Sequence, residues 1–139
     1  VSPRWAYFVP GYLWSALNTL IGVLLCVFVY RATDWRWSRG CIECIGGDRI
    51  IGKPGAQTWG ALIVYKDEYQ RSRVDLRVHE RVHVVQAFIG GPLFMIAYGL
   101  TFLWFYLRDP KMGWKVAYYQ IPFEVQAYRI GDKAKGWGA

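Results

Sequence analysis

Tyr12 to Tyr30, YLWSALNTLIGVLLCVFVY, carries no charge over 19 residues. As a helix it would reach about 28 Å, close to the thickness of a bilayer's hydrocarbon core. Its polar members, Ser15, Asn18 and Thr19, are ones such a helix tolerates; Pro10-Gly11 precedes it and Arg31 closes it. Trp5, Tyr7 and Tyr12 gather at one end and Tyr30, Trp35 and Trp37 at the other, as an interfacial aromatic belt does. A core helix of a soluble domain is rarely apolar all round at this length. The pattern therefore predicts an N-terminal transmembrane anchor over residues 1–31.

Residues 32–56 are punctuated by Gly40, Gly46, Gly47, Gly52 and Gly55 and read as a glycine-rich loop. Ala56 to Tyr65, AQTWGALIVY, is rich in strand formers, with Arg49-Ile50-Ile51 as a hairpin partner across Lys53-Pro54-Gly55. A helix is expected from Val74, and a second apolar run extends from Val84 to Leu107. Gly90-Gly91-Pro92 interrupts that run, which predicts helices over about 74–89 and 92–107 meeting at a corner. Without the break, 88–107 would pass as a second span. Val116 to Ile130 is again helical in pattern, with Pro122 inside it, and 131–139 reads as a flexible basic tail. The expected fold is mainly α, an anchor plus a small helical domain over 57–130 with a short β-hairpin.

Composition fits a membrane setting. Apolar residues make up 54% of the 139 positions, charged ones 19%, and there are 8 Trp, 10 Tyr and 7 Phe, which excludes a disordered tail or a coiled coil. Lys and Arg number 17 against 10 acidic residues, a net charge of +7. These cations are scattered, so they suit anionic headgroups rather than nucleic acid. Arg31, Arg36 and Arg39 follow the anchor while only Arg4 precedes it, which points the domain to the cytoplasm. Cys26, Cys41 and Cys44 are too few for a disulfide framework, and Cys41-Ile42-Glu43-Cys44 is a lone CxxC read as a surface dithiol or one disulfide. Arg73, Arg77 and Arg81 recur every four residues on the 74–89 helix, a solvated face or a contact for lipid phosphate.

The chemistry lies in His79-Glu80-Arg81-Val82-His83, an HExxH pattern that uses both histidines of the chain. Positions i and i+4 share a helix face, so both imidazoles can reach one Zn²⁺, and the glutamate stands beside a metal-bound water. Asp75 and Gln86 share that face. A catalytic zinc site needs a third protein ligand, and the downstream carboxylates are Asp109, Glu124 and Asp132. Glu124 stands out: Pro122 would open a helical turn that contains it, and its apolar neighbours Phe123, Val125 and Ala127 favour burial.

VHERVHVVQ, a Gly-Pro-apolar helix and PFEVQAY together resemble the small gluzincin-type metallopeptidase domains of bacteria, over about residues 57–130. The resemblance implies His79, His83 and Glu124 as zinc ligands and Glu80 as the general base. It also implies an oxyanion donor at Tyr118 or Tyr119, and TWGALIVY as the strand bordering the substrate cleft. Such a site requires residues 84–123 to leave and return on one side. A lone span over 88–107 would part the histidines from Glu124.

The expected protein is a zinc metallohydrolase of peptidase type, anchored in a bacterial inner membrane and acting on a peptide or protein. The rival expectation is a non-catalytic accessory subunit that packs against other membrane subunits, to which the surplus of aromatic residues is suited.

Overall fold

The computed structural model describes residues 9–50 and 55–134. The apolar N-terminal run forms α1 (Val9–Trp14) and α2 (Ala16–Leu24), and α2 continues as one π-helical turn over Leu25–Val29. The chain breaks step at Ser15, whose hydroxyl donates to Gly11 O at 2.7 Å. Ser15, Asn18, Gly22, Cys26 and Tyr30 form a buried stripe at helical spacing. Gly22 is required there, because a Cβ would lie 2.3 Å from Trp59 Cβ. This division corrects the reading of residues 12–30 as one uninterrupted span. Among the described residues, no single helix is long and apolar enough to cross a membrane. Trp5 and Tyr7 of the expected belt lie outside the described residues.

Residues 32–56, expected as loop, contain two strands. β1 (Thr33–Ser38) and β2 (Cys41–Ile45) pair antiparallel around Arg39-Gly40, both at positive φ, the backbone a tight two-residue turn requires. The expected hairpin lies wholly inside 56–65: β3 (Ala56–Trp59) and β4 (Leu62–Tyr65) pair antiparallel, with Trp59 opposite Leu62. Gly60 turns the chain at φ 61°, and any Cβ there would strike Thr19. Of Arg49-Ile50-Ile51, expected to pair with this stretch, Arg49 ends a 3₁₀ turn over Gly47–Arg49 and Ile50 follows it outside any strand, while Ile51 lies outside the described residues. β4 also pairs parallel with β2, which gives the order β1-β2-β4-β3.

Side chains alternate across this sheet as the pleat demands. Leu62, Val64 and Cys44 pack with Cys26, Tyr30 and Ile50 on the α2 side. Ile63, Tyr65, Cys41 and Ala56 pack with Val84 on the other. Complete burial of a residue such as Leu62 contributes about 2 kcal/mol. Cys41 and Cys44 therefore face opposite layers and form neither a surface dithiol nor a disulfide; all three cysteines are free and buried. Cys44 meets Cys26, Sγ to Sγ 3.8 Å.

After α3 (Glu68–Ser72), capped by the Asp67 side chain, come α4 (Val74–Gly90) and α5 (Pro92–Arg108), bent by 116° at Gly91. Gly91 has φ 57°, and a Cβ would enter the Trp14 indole. A short 3₁₀ turn over Pro110–Met112 reverses the chain into α6 (Trp114–Gln120) and α7 (Pro122–Lys133). α7 lies close against α4, since a Cβ on Gly131 would stand 2.9 Å from Asp75 O. Residues 131–133 thus belong to α7 rather than to a tail, and 135–139 lie outside the described residues. Residues 84–123 leave α4 and return to it, which excludes a lone span over 88–107 that would part Glu124 from the histidines.

Candidate metal centre

α4 presents His79 and His83 from one face, their ring centroids 5.0 Å apart. Docking of α7 brings Glu124 between them: His83 Nε2 lies 2.6 Å from Glu124 Oε1, and His79 Nε2 lies 3.4 Å from Oε2. All three side chains are buried, and their ligand atoms lie within 4.8 Å of one another, so the group can hold a metal ion. Asp109 and Asp132, the other carboxylates considered, are exposed.

The surrounding hydrogen bonds fit that role. Gln86 Nε2 donates to Phe123 O at 3.1 Å and to Gln126 Oε1 at 2.8 Å. This fixes the amide so that Oε1 faces His83 Nδ1 at 2.8 Å. Nδ1 therefore donates to Gln86, and Nε2, 2.6 Å from Glu124 Oε1, is the nitrogen left to bind an ion. His83 Nε2 and Glu124 Oε2 are both buried without a hydrogen-bond partner. Buried acceptors converging on one point are what a cation satisfies. Burial pushes the Glu124 carboxyl up, but the two imidazoles against it, His79 first and then His83, outweigh burial and hold the group at about 2.

Three tyrosines complete the surroundings. Tyr98 of α5 donates to Glu124 Oε1 at 3.2 Å, and Tyr128 of α7 sets its ring edge-on to His79 at 4.2 Å. Neither residue was expected from sequence. Tyr98 stands one turn after Phe94 on the inward face of α5, and that spacing was the available signal. Burial, and next the neighbouring Glu124, raise Tyr118 far above the ordinary phenol range, so it stays protonated. Tyr119 is exposed at the rim.

Glu80 is buried on the flank of α4 that meets β3, where Thr58 Oγ1 donates to its Oε2. Glu80, His79, His83 and Glu124 border one cleft of about 900 Å³, closed by β3 on one side and by α5, α6 and α7 on the others. Among the described residues β3 is an end strand of the sheet and pairs with β4 alone. The arginine stripe is not a solvated face: Arg81 turns to the sheet, 3.5 Å from the buried Glu43, and Arg73 pairs with Asp75 at 2.8 Å.

Chemically, the arrangement offers two imidazoles and a carboxylate for one cation, a separate carboxylate beside it, and a protonated phenol. Comparison with protein-family models, with curated proteins and with solved structures finds no match to this chain.

Proposed function

We propose that the chain is a zinc-dependent hydrolase of peptidase type. The observation that carries this reading is the convergence of His79, His83 and Glu124 on one buried point, with Glu80 on the same cleft. His79, His83 and Glu124 would hold the ion, a donor set of the kind found in catalytic zinc sites with an open position. Zn²⁺, when bound, supplies Lewis-acid polarisation of a carbonyl and lowers the pKa of a coordinated water. Glu80 takes up a proton from the attacking water and returns it to the leaving amine. Thr58 orients Glu80 through its hydroxyl. Tyr118 is the donor for the charge that develops on the carbonyl oxygen. The outer edge of β3 offers backbone groups with which an extended peptide can pair.

Metal analysis of the purified chain tests the reading, together with His79→Ala and Glu80→Gln variants assayed for peptide hydrolysis. The expected result is about one zinc per chain, lost in His79→Ala, and zinc-replete but inactive Glu80→Gln. Absence of bound metal would overturn it.

A second reading, a non-catalytic subunit of a larger membrane assembly, is favoured by the exposed apolar faces of α2 and α5. Metal retained without Glu80-dependent hydrolysis would decide for it. Under either reading we place the domain at the cytoplasmic face of a bacterial inner membrane, with Arg31, Arg36 and Arg39 on that side.

A further inference from the structure

The N-terminal helices are inverted in polarity. α1 and α2 with its adjoining residues turn Ser15 and Asn18 inward, both 0% exposed, and turn Leu13, Leu17, Leu20 and Leu24 outward at 47–74%. A helix on the surface of a water-soluble domain does the opposite. α5 repeats the pattern: Leu93, Ile96, Leu100, Trp104 and Leu107 are exposed, and no charge occurs before Arg108. At about 25 Å, α5 comes close to the hydrocarbon thickness.

The two faces join at the Gly91 corner. There Trp14 Nε1 donates to Ile89 O at 3.1 Å and Asn18 Nδ2 to Gly91 O at 2.8 Å. Exposed cations stand at the far ends, Arg31 beyond α2 and Arg108 and Lys111 beyond α5. An uncharged apolar surface bounded by cations matches hydrocarbon bounded by anionic headgroups. A protein interface would place Arg and other charged or polar side chains through the patch.

This surface is separated from the cleft by α5 alone. Phe94, Met95 and Tyr98 of its first turns line the cleft, while Leu93, Ile96 and Leu100 stand outside. Asn18 also lines the cleft, and its Oδ1 is buried without a hydrogen-bond partner. We propose that the cleft takes its substrate from a lipid bilayer: an apolar polypeptide segment that reaches the metal centre past α5. This rests on the peptidase reading of that centre. A segment unwound from a membrane helix exposes backbone N–H groups that lipid cannot satisfy. Asn18 Oδ1 and the outer edge of β3, which pairs with no other described strand, offer acceptors for them.

The test uses the full chain carrying Glu80→Gln, reconstituted in vesicles of phosphatidylethanolamine and phosphatidylglycerol, with a photo-reactive side chain in place of Met95. One probe peptide has about 20 apolar residues and crosses the bilayer; the other has the same flanks around a water-soluble core. The chain is expected to float with the vesicles through a high-salt wash and to crosslink the inserted peptide at least about tenfold better, a 1.4 kcal/mol preference. Leu17→Glu with Leu100→Glu should abolish flotation while circular dichroism retains its helicity. A chain that stays in the aqueous phase, or crosslinks the soluble peptide equally well, overturns the proposal. Zinc measured on the same samples separates the two readings. Metal with only soluble peptide captured sinks this inference alone, whereas inserted peptide captured without metal supports it and sinks the peptidase reading.

Discussion

Gln86 sets the tautomer of His83. Its Oε1 lies 2.8 Å from Nδ1, so the ring turns its other nitrogen to Glu124. The amide is held in turn by Phe123 O and Gln126, both on α7. One side chain therefore fastens the helix that carries Glu124 to the His83 ring.

If the centre binds zinc as proposed, Gln86→Leu should weaken that affinity by about 10–100-fold, the usual cost of losing such an outer partner. Gln86→Glu, which keeps an acceptor for Nδ1 but loses the donor to Phe123 O, should fall between the wild type and Gln86→Leu. Competition against a chromogenic chelator measures both. Equal affinity in the wild type and Gln86→Leu would mean that His83 is oriented by packing alone.

Gly131 allows α7 to approach α4. In Gly131→Val the added carbons would meet Asp75 O and His79 Cβ, at a cost of about 1–3 kcal/mol. The expected outcome is a lower melting temperature together with weaker metal binding, because the displaced helix is the one that carries Glu124. Wild-type metal affinity in a destabilised Gly131→Val would contradict the coupling.

Cys26 and Cys44 are 0% exposed and Cys41 is 4%, and burial is what first raises the Cys41 thiol, to about 11. Structural thiols of this kind are inert. A thiol-reactive dye should label none of them in the native chain and all of them in denaturant. Rapid labelling of Cys44 without unfolding would show that α2 lifts from the sheet.

Asp34 is held below the usual carboxylate range by hydrogen bonds, first from Arg71 and then from Arg36. Its folded value is depressed, so the stabilisation is present above the ordinary value of about 4 and is lost as pH falls through the folded value. Arg71→Gln removes the chief partner at every pH. Its melting temperature at neutral pH should be lower than that of the wild type, and its further drop towards about pH 3 should be smaller. Parallel curves would refute the pairing.

The centre was legible because its donors carry local signals. His79 and His83 share a helical face, and Pro122 opens the helix that buries Glu124. The α4–α5 corner was likewise legible in Gly90-Gly91-Pro92. The sheet was not: β1, TDWRWS, has almost all its side chains exposed, and its short Trp35/Trp37 alternation buries neither face. Its strand character comes from β2, and β2 in turn pairs with β4 some twenty residues away, a contact that no short window encodes. The turn at Gly60 was missed too, because AQTWGALIVY reads as one strand and an isolated glycine in such a pattern equally suits a bulge. In the N-terminal run the buried stripe was visible in Ser15, Gly22 and Cys26. The uncharged outer face hid it, since both sides read as apolar.

Glu124 follows His83 by about forty residues, and the intervening chain builds α5 and α6, two walls of the cleft. During synthesis, which proceeds at about 5–20 residues per second, the two imidazoles emerge seconds before their third partner. Until α7 docks there is no enclosed cleft, and two neutral imidazoles alone make a poor ion trap. Under the peptidase reading, hydrolytic capacity arrives with α7, so a chain in which α7 has not docked cannot cleave its neighbours at the membrane.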